Sequence, residues 1–231
     1  MKVAISQSNY LPWAGFFGLI AKSDIFVFLD EVQFTSRDWR SRNTIKTDKG
    51  LKWLSIPVGD SLSRRICDVM LPEGDWKQSH KSSILAAYAG GRNFQAGAQF
   101  VELLYGKSPI KDLSEFNKYW IKYLSNEVFG LKCQFLDSRD IPHEGTGSNL
   151  ILSICKSLNT NQYITGPTAA NYLIENEFAS NGIQINYADY SKMKQYEQMH
   201  GDFVPNVSII DMIFNVQTGY PNLLEIDTFR A

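Results

Sequence analysis

The chain has 231 residues, of which 44% are hydrophobic and 20% charged, and its 23 basic and 24 acidic side chains leave a formal net charge of −1. This balance gives no basic field that would favour nucleic acid as a partner. No apolar run approaches the roughly 20 residues that a membrane-spanning helix needs. The N-terminal MKVAISQSNYLPW lacks the apolar core of a signal peptide. We therefore expect a cytoplasmic protein with no membrane span.

The first thirty residues predict a strand, a helix and a second strand. Val3–Ile5 is a short apolar run, and Pro12 suits the first position of a helix that runs to about Lys22. The unbroken apolar run Ile25–Leu29 is typical of a strand that is covered on both faces. This order indicates a right-handed βαβ unit with parallel strands.

A polar and basic segment, RDWRSRNTIKTDKG, occupies positions 37–50. Beyond it, KWLSIPV and ICDVMLP are rich in apolar and β-branched residues and flank Gly59-Asp60-Ser61. Runs of this kind on either side of a turn signal predict two strands.

Three helices are predicted in the middle of the chain, over 78–89, 95–105 and 114–129. Ser114 is the predicted N-cap of the third, and Gly130 is its predicted stop. The aromatic and aliphatic residues of that helix recur at helical spacing, as on a core-facing surface. We therefore expect a helical insertion or side lobe over about 76–130.

The last third returns to alternating elements. Strands are predicted over 132–136, 162–165 and 185–190, and helices over 149–158, 169–177 and 209–216. Ser208 is the predicted cap of the last helix. Strands that alternate with helices indicate an α/β fold with a mainly parallel, Rossmann-like sheet, here as one domain over 1–231.

Ligands of open parallel sheets bind outside the carboxyl ends of the strands. Gln7, Asn9 and Tyr10 follow the first predicted strand, and Asp30 and Gln33 follow the second. The first three are candidates for reading sugar hydroxyls or an amide. Asp30 is a candidate general base.

Two further segments contain candidate anion-binding groups. Gly166 and Thr168 lie where a strand gives way to a helix, so their region would present free N–H groups, although Gly-Pro is also a common connection. Arginine forks bind phosphate at two points. Arg37, Arg40 and Arg42, with Asn43, are therefore candidates for a diphosphate, the alternative being a solvated loop.

Histidine titrates near neutral pH, so His143 in DIPHEGTGSN is a second candidate base, against the alternative of a surface residue. Asp211 and Asn215 are four apart on an otherwise apolar helix, which suits either a structural network or a pocket wall. The three cysteines match no zinc pattern and are typical of small buried residues, with a nucleophile as the alternative. We predict no metal site.

Several separate motifs resemble the WbqC-like family of bacterial proteins. They are QSNYLPWAGFFGLIAKSDIFVFLDEVQF, SRNTIKT, KWLSIPV, GTGSNLILSICKSL, YITGPTAANYL and GDFVPNVSIIDMIFN, which together span Val3 to about Asn215. The family opening has Pro after Gln, where this chain has Ser8. The resemblance implies a role in bacterial surface polysaccharide (O-antigen) biosynthesis, and some members are described as transferases of glycine or other aminoacyl groups to amino sugars.

The expected function is transfer of an acyl or aminoacyl group to an amino sugar carried on a nucleotide. The expected partners are a nucleotide sugar and an acyl or peptidyl carrier protein, and the use of ATP stays open. The alternatives are a non-catalytic module that binds a nucleotide sugar or carrier, and an ATP-dependent ligase or nucleotidyltransferase-like enzyme.

A more distant resemblance links the N-terminus to nucleotidylyltransferase-like folds such as the pantoate–β-alanine ligases. These folds have an HxGH motif where this chain has Trp13-Ala14-Gly15-Phe16. Neither histidine is present, so the resemblance implies the fold and not adenylyl transfer by that route. Trp13 is expected either to pack the helix onto the sheet or to stack on a base or sugar.

Overall fold

The structure, a computed structural model, describes residues 1–61 and 63–230. Its strands are β1 Lys2–Ser6, β2 Ile25–Phe28, β3 Arg42–Thr47, β4 Gly50–Ser55, β5 Gln134–Asp137, β6 Gln162–Thr165, β7 Gln184–Asp189 and β8 Asp227–Arg230. Its α-helices are α1 Ala14–Ala21, α2 Trp76–Ala87, α3 Phe94–Tyr105, α4 Leu113–Tyr123, α5 Gly147–Ser157, α6 Glu175–Ser180, α7 Ile209–Asn215 and α8 Tyr220–Leu223. None of the helices in these two ranges is long and apolar enough to cross a membrane.

The main sheet has six strands in the order β5-β2-β1-β6-β7-β8. All neighbouring pairs are parallel except β7 and β8. This confirms the predicted α/β fold with a mainly parallel sheet. The strands after β1 are added on one side as β2 and β5 and on the other as β6 and β7, so the strand order reverses between β1 and β6.

Both faces of the sheet are buried, which explains the unbroken apolar runs of its central strands. Ala4, Phe26 and Phe28 belong to a core that includes α1 and the middle helices. Val3 and Val27, which alternate with them along the strands, belong to a second core that includes α5 and α6. Helix α1, the middle helices and α7 therefore pack on one face of the sheet, and α5 and α6 pack on the other.

The polar and basic segment over 37–50 is not a solvated loop throughout, because Arg42–Thr47 forms β3 and pairs with β4 as an antiparallel hairpin. The predicted strand in ICDVMLP was also wrong, since Ile66–Asp68 is a turn of 3₁₀-helix. With β3 available as the partner of β4, Ile66 and Val69 of that segment instead join the core, while Met70 is exposed.

Three helix boundaries also differ from the sequence prediction. Helix α1 begins two residues after Pro12. Asp112, not Ser114, caps α4 by accepting a hydrogen bond from the amide of Glu115 at 2.8 Å, and a π-helical turn, Leu124–Val128, follows α4. The predicted helix over 169–177 is divided into a 3₁₀ turn, Pro167–Asn171, and α6. The cap at Ser208 is confirmed.

Candidate functional site

A cavity of about 200 Å³ lies at the carboxyl ends of β1 and β6, where the strand order reverses. We call it the small cavity. Its polar lining residues are neutral, and they are Ser6, Gln7, Thr165, Thr168, Tyr172 and Tyr190. The reversal of strand order is the point at which open α/β sheets bind ligands, because the two neighbouring loops leave in opposite directions there.

A second cavity of about 560 Å³, which we call the large cavity, adjoins the small one. Trp13 and Tyr190 line both cavities, and their rings meet edge to face with centroids 4.8 Å apart. The segment between β7 and α7 supplies much of its wall. The two cavities therefore form one two-chambered site with an aromatic partition.

The sequence Trp13-Ala14-Gly15 positions this partition. Trp13 has extended backbone as the N-cap of α1, and its indole lies across Gly15. A Cβ added at Gly15 would lie 2.2 Å from the indole, far inside van der Waals contact. Glycine is thus required for the ring to lie flat over the start of the helix.

Gln7 is oriented by Arg40, which joins it from the loop before β3. The Nη2 of Arg40 donates to Oε1 of Gln7 at 2.8 Å, and Nη1 of Arg40 pairs with Asp38 at 2.7 Å. Because the amide oxygen of Gln7 is occupied by the guanidinium, its NH₂ group is the part left for a ligand. Gln7 is therefore set as a hydrogen-bond donor to the small cavity.

Tyr190 ends the strand predicted over 185–190 and was not put forward as a site residue, yet it lies at the junction of the two cavities. A Cβ added at Gly166 would lie 3.7 Å from its hydroxyl oxygen, so that hydroxyl faces the carboxyl end of β6. Burial raises the pKa of Tyr190 to about 12. The hydroxyl thus keeps its proton at neutral pH and can donate a hydrogen bond.

The carboxyl ends of β2 and β5 carry charged residues that pair with one another. Asp30 is fully buried and accepts hydrogen bonds from the Ser8 amide at 2.8 Å and the Ser114 hydroxyl at 2.5 Å. The ammonium of Lys118 lies 3.9 Å from Asp30 and forms an ion pair with Asp137. We call Asp30, Lys118, Asp137 and Arg139 the ion network.

Asp137 is stabilised in its charged form by this network. Partial burial acts to raise its pKa, but hydrogen bonds from Arg139 and Lys118 outweigh burial and hold the pKa well below its usual range. None of the four residues of the ion network lines either cavity. The predicted base Asp30 therefore lies inside a network and not in a cavity wall.

His143 lies close to this network, with both ring nitrogens near oxygen atoms. Its Nε2 is 3.2 Å from the Glu31 carboxylate, and its Nδ1 is 2.7 Å from the carbonyl oxygen of Ile141. Glu31 also accepts a hydrogen bond from Ser138. These contacts fix the ring of His143 and direct both nitrogens at protein groups, and His143 does not line either cavity.

Of three candidates in the first turn and the hairpin, Tyr10 and Asn43 are buried and Asn9 is half-buried. The hydroxyl of Tyr10 is hydrogen-bonded to His80 and Tyr105, and Tyr10 itself is fully inside the core. Asn43 donates to the carbonyl oxygens of Tyr10 and Leu11, which holds Leu11 at a φ of 44°. The Oδ1 of Asn9 is buried without a hydrogen-bond partner among the described residues.

The remaining candidates of the basic segment lie apart from the cavities. Arg42 stacks on Trp53 of the hairpin, with its guanidinium carbon 4.2 Å from the ring centroid. Arg37 is exposed and has a φ of 54°, and Gln33 is exposed beside Arg65, with which it forms an isolated bridge. Only Arg40 of the three arginines contacts a residue that lines a cavity.

Asp211 is buried behind the large cavity. It accepts hydrogen bonds from Tyr88 at 3.0 Å, Tyr196 at 2.8 Å and Asn215 at 3.3 Å. Burial raises its pKa, although the hydrogen bonds from the two tyrosines act to lower it. Since Tyr196 lines the large cavity, Asp211 supports the wall without forming it.

The cysteines carry no sign of an activated thiolate. Burial raises the pKa of Cys133 and of Cys155 to about 12, and it also raises the pKa of Cys67. No cysteine lines either cavity. A nucleophilic thiol needs the opposite shift, because the thiolate is the reactive form.

Of the residues that the sequence put forward, the structure brings Gln7, Trp13, Gly166 and Thr168 together in the small cavity, with Arg40 behind Gln7. Fold and site define a doubly wound α/β protein with a two-chambered cavity at its switch point. The chain belongs to the WbqC-like protein family, whose model matches residues 7–220.

A relative of known sequence supports this assignment. The chain is 32% identical over 225 residues to the uncharacterized protein Rv1507c of Mycobacterium tuberculosis, and the match covers 96% of this chain and 97% of the relative. No solved structure matches the chain.

Proposed function

We propose that the protein transfers an acyl or aminoacyl group to the amine of a nucleotide-linked amino sugar, in the biosynthesis of bacterial surface polysaccharide. The observation that carries the proposal is the pair of adjoining cavities at the switch point, since a transfer needs two reactants held side by side. Membership of the WbqC-like family supports the polysaccharide context.

The small cavity suits the amino sugar. Its hydroxyl and amide groups, which include Gln7, Thr165 and Thr168, match the hydroxyl groups of a sugar ring. No aspartate, glutamate or histidine among the described residues lines either cavity. A neighbouring carboxylate would hold the amine as a non-nucleophilic ammonium ion, so a neutral lining favours the reactive free amine.

Asp30 and His143 stay in the proposal as bases that act from the neighbouring strand ends. Asp30→Asn and His143→Gln would each lower turnover by about a hundredfold if the residue takes the amine proton. Because His143 is paired with Glu31, Glu31→Gln serves as the control for its positioning. If a variant keeps wild-type turnover, the substituted residue is not the base.

We also propose Arg37, Arg40 and Arg42 as ligands for the diphosphate of the nucleotide.

The direct test of the function is to incubate the protein with a nucleotide-linked amino sugar and acyl or aminoacyl donors, and to look for the acylated sugar by mass spectrometry. Product formation is the expected result. A positive ATP–pyrophosphate exchange without any acylated product would instead favour an ATP-dependent ligase or nucleotidyltransferase-like enzyme.

One observation favours a second candidate, a module that binds a nucleotide sugar or a carrier protein without catalysis. It is the same lack of acidic and histidine side chains in the lining of the two cavities, within the described residues. Tight binding of the nucleotide sugar, measured by calorimetry, with no product from any donor would support this candidate over the transferase.

A further inference from the structure

The large cavity differs in chemistry from the small one. Its lining is mostly apolar and aromatic, with Trp13, Met193, Phe203, Pro205, Met212 and Leu223 as its main apolar residues. The hydroxyl groups of a sugar ring would find few hydrogen-bond partners in such a wall. The wall suits an apolar chain that is joined to the reacting centre at the aromatic partition.

The segment between β7 and α7 forms the outer wall of this cavity and is anchored at its far end. The buried ammonium of Lys46 donates to the carbonyl oxygens of Gly201 and Asp202 and to the side chain of Gln198. A long connection without regular structure is commonly a binding loop. Here the anchored part holds Phe203 and Pro205 in the wall.

Lys194 is the charged residue among the described residues that line the large cavity. It is exposed and has no ion-pair partner in the described part of the chain. An unpaired ammonium beside an apolar cavity suits a ligand whose apolar part enters the cavity and whose phosphate remains outside.

We propose that the large cavity binds the acyl donor, an acyl thioester of a phosphorylated thiol, and that the Tyr190 hydroxyl donates a hydrogen bond to the thioester carbonyl. The proposal rests on the proposed function for the nature of the reaction. It places the acyl chain against Met193 and Phe203 and the phosphate beside Lys194. The carbonyl then lies at the partition, within reach of the sugar amine in the small cavity.

The step is balanced without a further reactant. The amine nitrogen attacks the thioester carbon and forms the C–N bond, and the carbonyl oxygen becomes an oxyanion that accepts the hydrogen bond from Tyr190. The oxyanion collapses, the C–S bond breaks, and the proton that the base took from the amine goes to the departing thiolate. Tyr190 keeps its proton throughout, consistent with its raised pKa.

Binding of a non-reactive thioether analogue of acyl-pantetheine phosphate tests the donor site. Asn206 is exposed and lines the large cavity, so Asn206→Trp narrows the cavity at little risk to folding. The matched control is Asn176→Trp, because Asn176 is also exposed and lines a separate surface depression. We expect Asn206→Trp to weaken binding at least about tenfold, equivalent to 1.4 kcal/mol, and the control to bind like the wild type.

No binding to the wild type, or equal binding to both variants, overturns the donor site. This result is independent of turnover. If the analogue binds as expected but no donor yields acylated sugar, the proposed transfer fails while the site for this ligand class stands. If the nucleotide of the sugar substrate competes with the analogue for the large cavity, the assignment of the two cavities is wrong.

Tyr190→Phe tests the hydrogen bond to the carbonyl, since it keeps the ring that contacts Trp13. We expect kcat to fall about a hundredfold, as for loss of one oxyanion donor, with little change in KM for the sugar. Tyr187→Phe on the same strand is the matched control, because the Tyr187 hydroxyl donates to Glu175 away from the cavities. Wild-type kcat in Tyr190→Phe overturns the role of Tyr190.

Discussion

Two halves of the same sheet edge are built differently. At the carboxyl ends of β2 and β5, Asp30, Lys118 and Asp137 pair with one another, and they line neither of the two cavities. At the carboxyl ends of β1 and β6, neutral groups such as Gln7 and Thr168 line an open chamber. Both halves satisfy the expectation that polar groups gather at this edge, but only one offers them to a ligand.

The difference shows that side-chain charge decides how such an edge is used. A buried charge must be paired. Acidic and basic residues that lie near each other at strand ends therefore pair with one another and are not free to contact a ligand. Neutral amides and hydroxyls lose less on being left facing a water-filled cavity. The comparison predicts that variants on the paired side lower stability, and that variants on the open side lower binding.

The largest effect is expected for Lys118→Met on the paired side. The ammonium of Lys118 is 3% exposed and faces Asp30, which is fully buried, so its removal leaves an uncompensated carboxylate. We expect the free energy of unfolding to fall by about 3–5 kcal/mol in denaturant titrations. Arg139→Met, at a guanidinium that is 44% exposed, is the control and should cost no more than about 1 kcal/mol. Equal losses would contradict a difference between a buried and an exposed cation.

On the open side, Gly15→Ala should displace the Trp13 indole, because the new Cβ would lie 2.2 Å from it. We expect a stability loss of about 1–3 kcal/mol from overpacking. Gly15→Ala should also bind the nucleotide sugar more weakly, since the displaced Trp13 ring no longer separates the two cavities. Gly90→Ala is the control, because its Cβ would meet only the flexible end of Met199 at 3.2 Å. Unchanged sugar binding in Gly15→Ala would show that the partition is dispensable.

Acid should weaken the paired side through Asp137. Its pKa is lower in the folded protein than in the unfolded chain, so it stabilises the fold above the ordinary aspartate pKa of about 3.9, and this contribution is lost as the pH falls further. Asp137→Asn should therefore be less stable than the wild type at neutral pH, and the difference should shrink below about pH 4. Unfolding curves over a pH series measure it, and a difference that stays constant with pH would exclude the ion pair as its cause.

The smallest effect is expected for Arg40→Met, which releases the amide of Gln7. Loss of one orienting hydrogen bond should weaken sugar binding about three- to tenfold, or roughly 0.5–1.5 kcal/mol, and a larger loss would support Arg40 as a diphosphate ligand. Arg92→Met removes an exposed ion pair far along the chain with Glu197 and should leave binding unchanged. Tighter binding in Arg40→Met would mean that the guanidinium withholds Gln7 from the ligand instead of orienting it.

The fold was largely predictable because the central strands are covered on both faces. Strands buried in this way have unbroken apolar runs in the sequence. The hairpin was not predictable in this way. Arg42, Asn43 and Lys46 interrupt β3 with polar residues whose partners lie elsewhere, as when Lys46 reaches the carbonyl oxygens of Gly201 and Asp202. A strand stabilised by such distant contacts has no local pattern.

The candidate site was predictable in part for a related reason. Gln7, Trp13, Gly166 and Thr168 follow parallel strands directly, so the rule of carboxyl ends placed them near one another. The same rule also selected Asp30. The sequence gave no sign that Lys118, which is far away along the chain, would lie beside Asp30 and pair with it. Tyr190 was missed because its place in the site depends on its contact with Trp13, which is distant in sequence.

By itself the sequence determined the parallel sheet, the places where its strands end and the motifs of the WbqC-like family, because periodicity and turn chemistry are local properties. Only the tertiary structure decided which strand ends adjoin and which polar groups remain unpaired there. Pairing depends on residues from distant segments, and the free energy of burying a charge is settled only when those segments meet. The neutral groups at the carboxyl ends of β1 and β6 are the ones that remain unpaired and can contact a ligand.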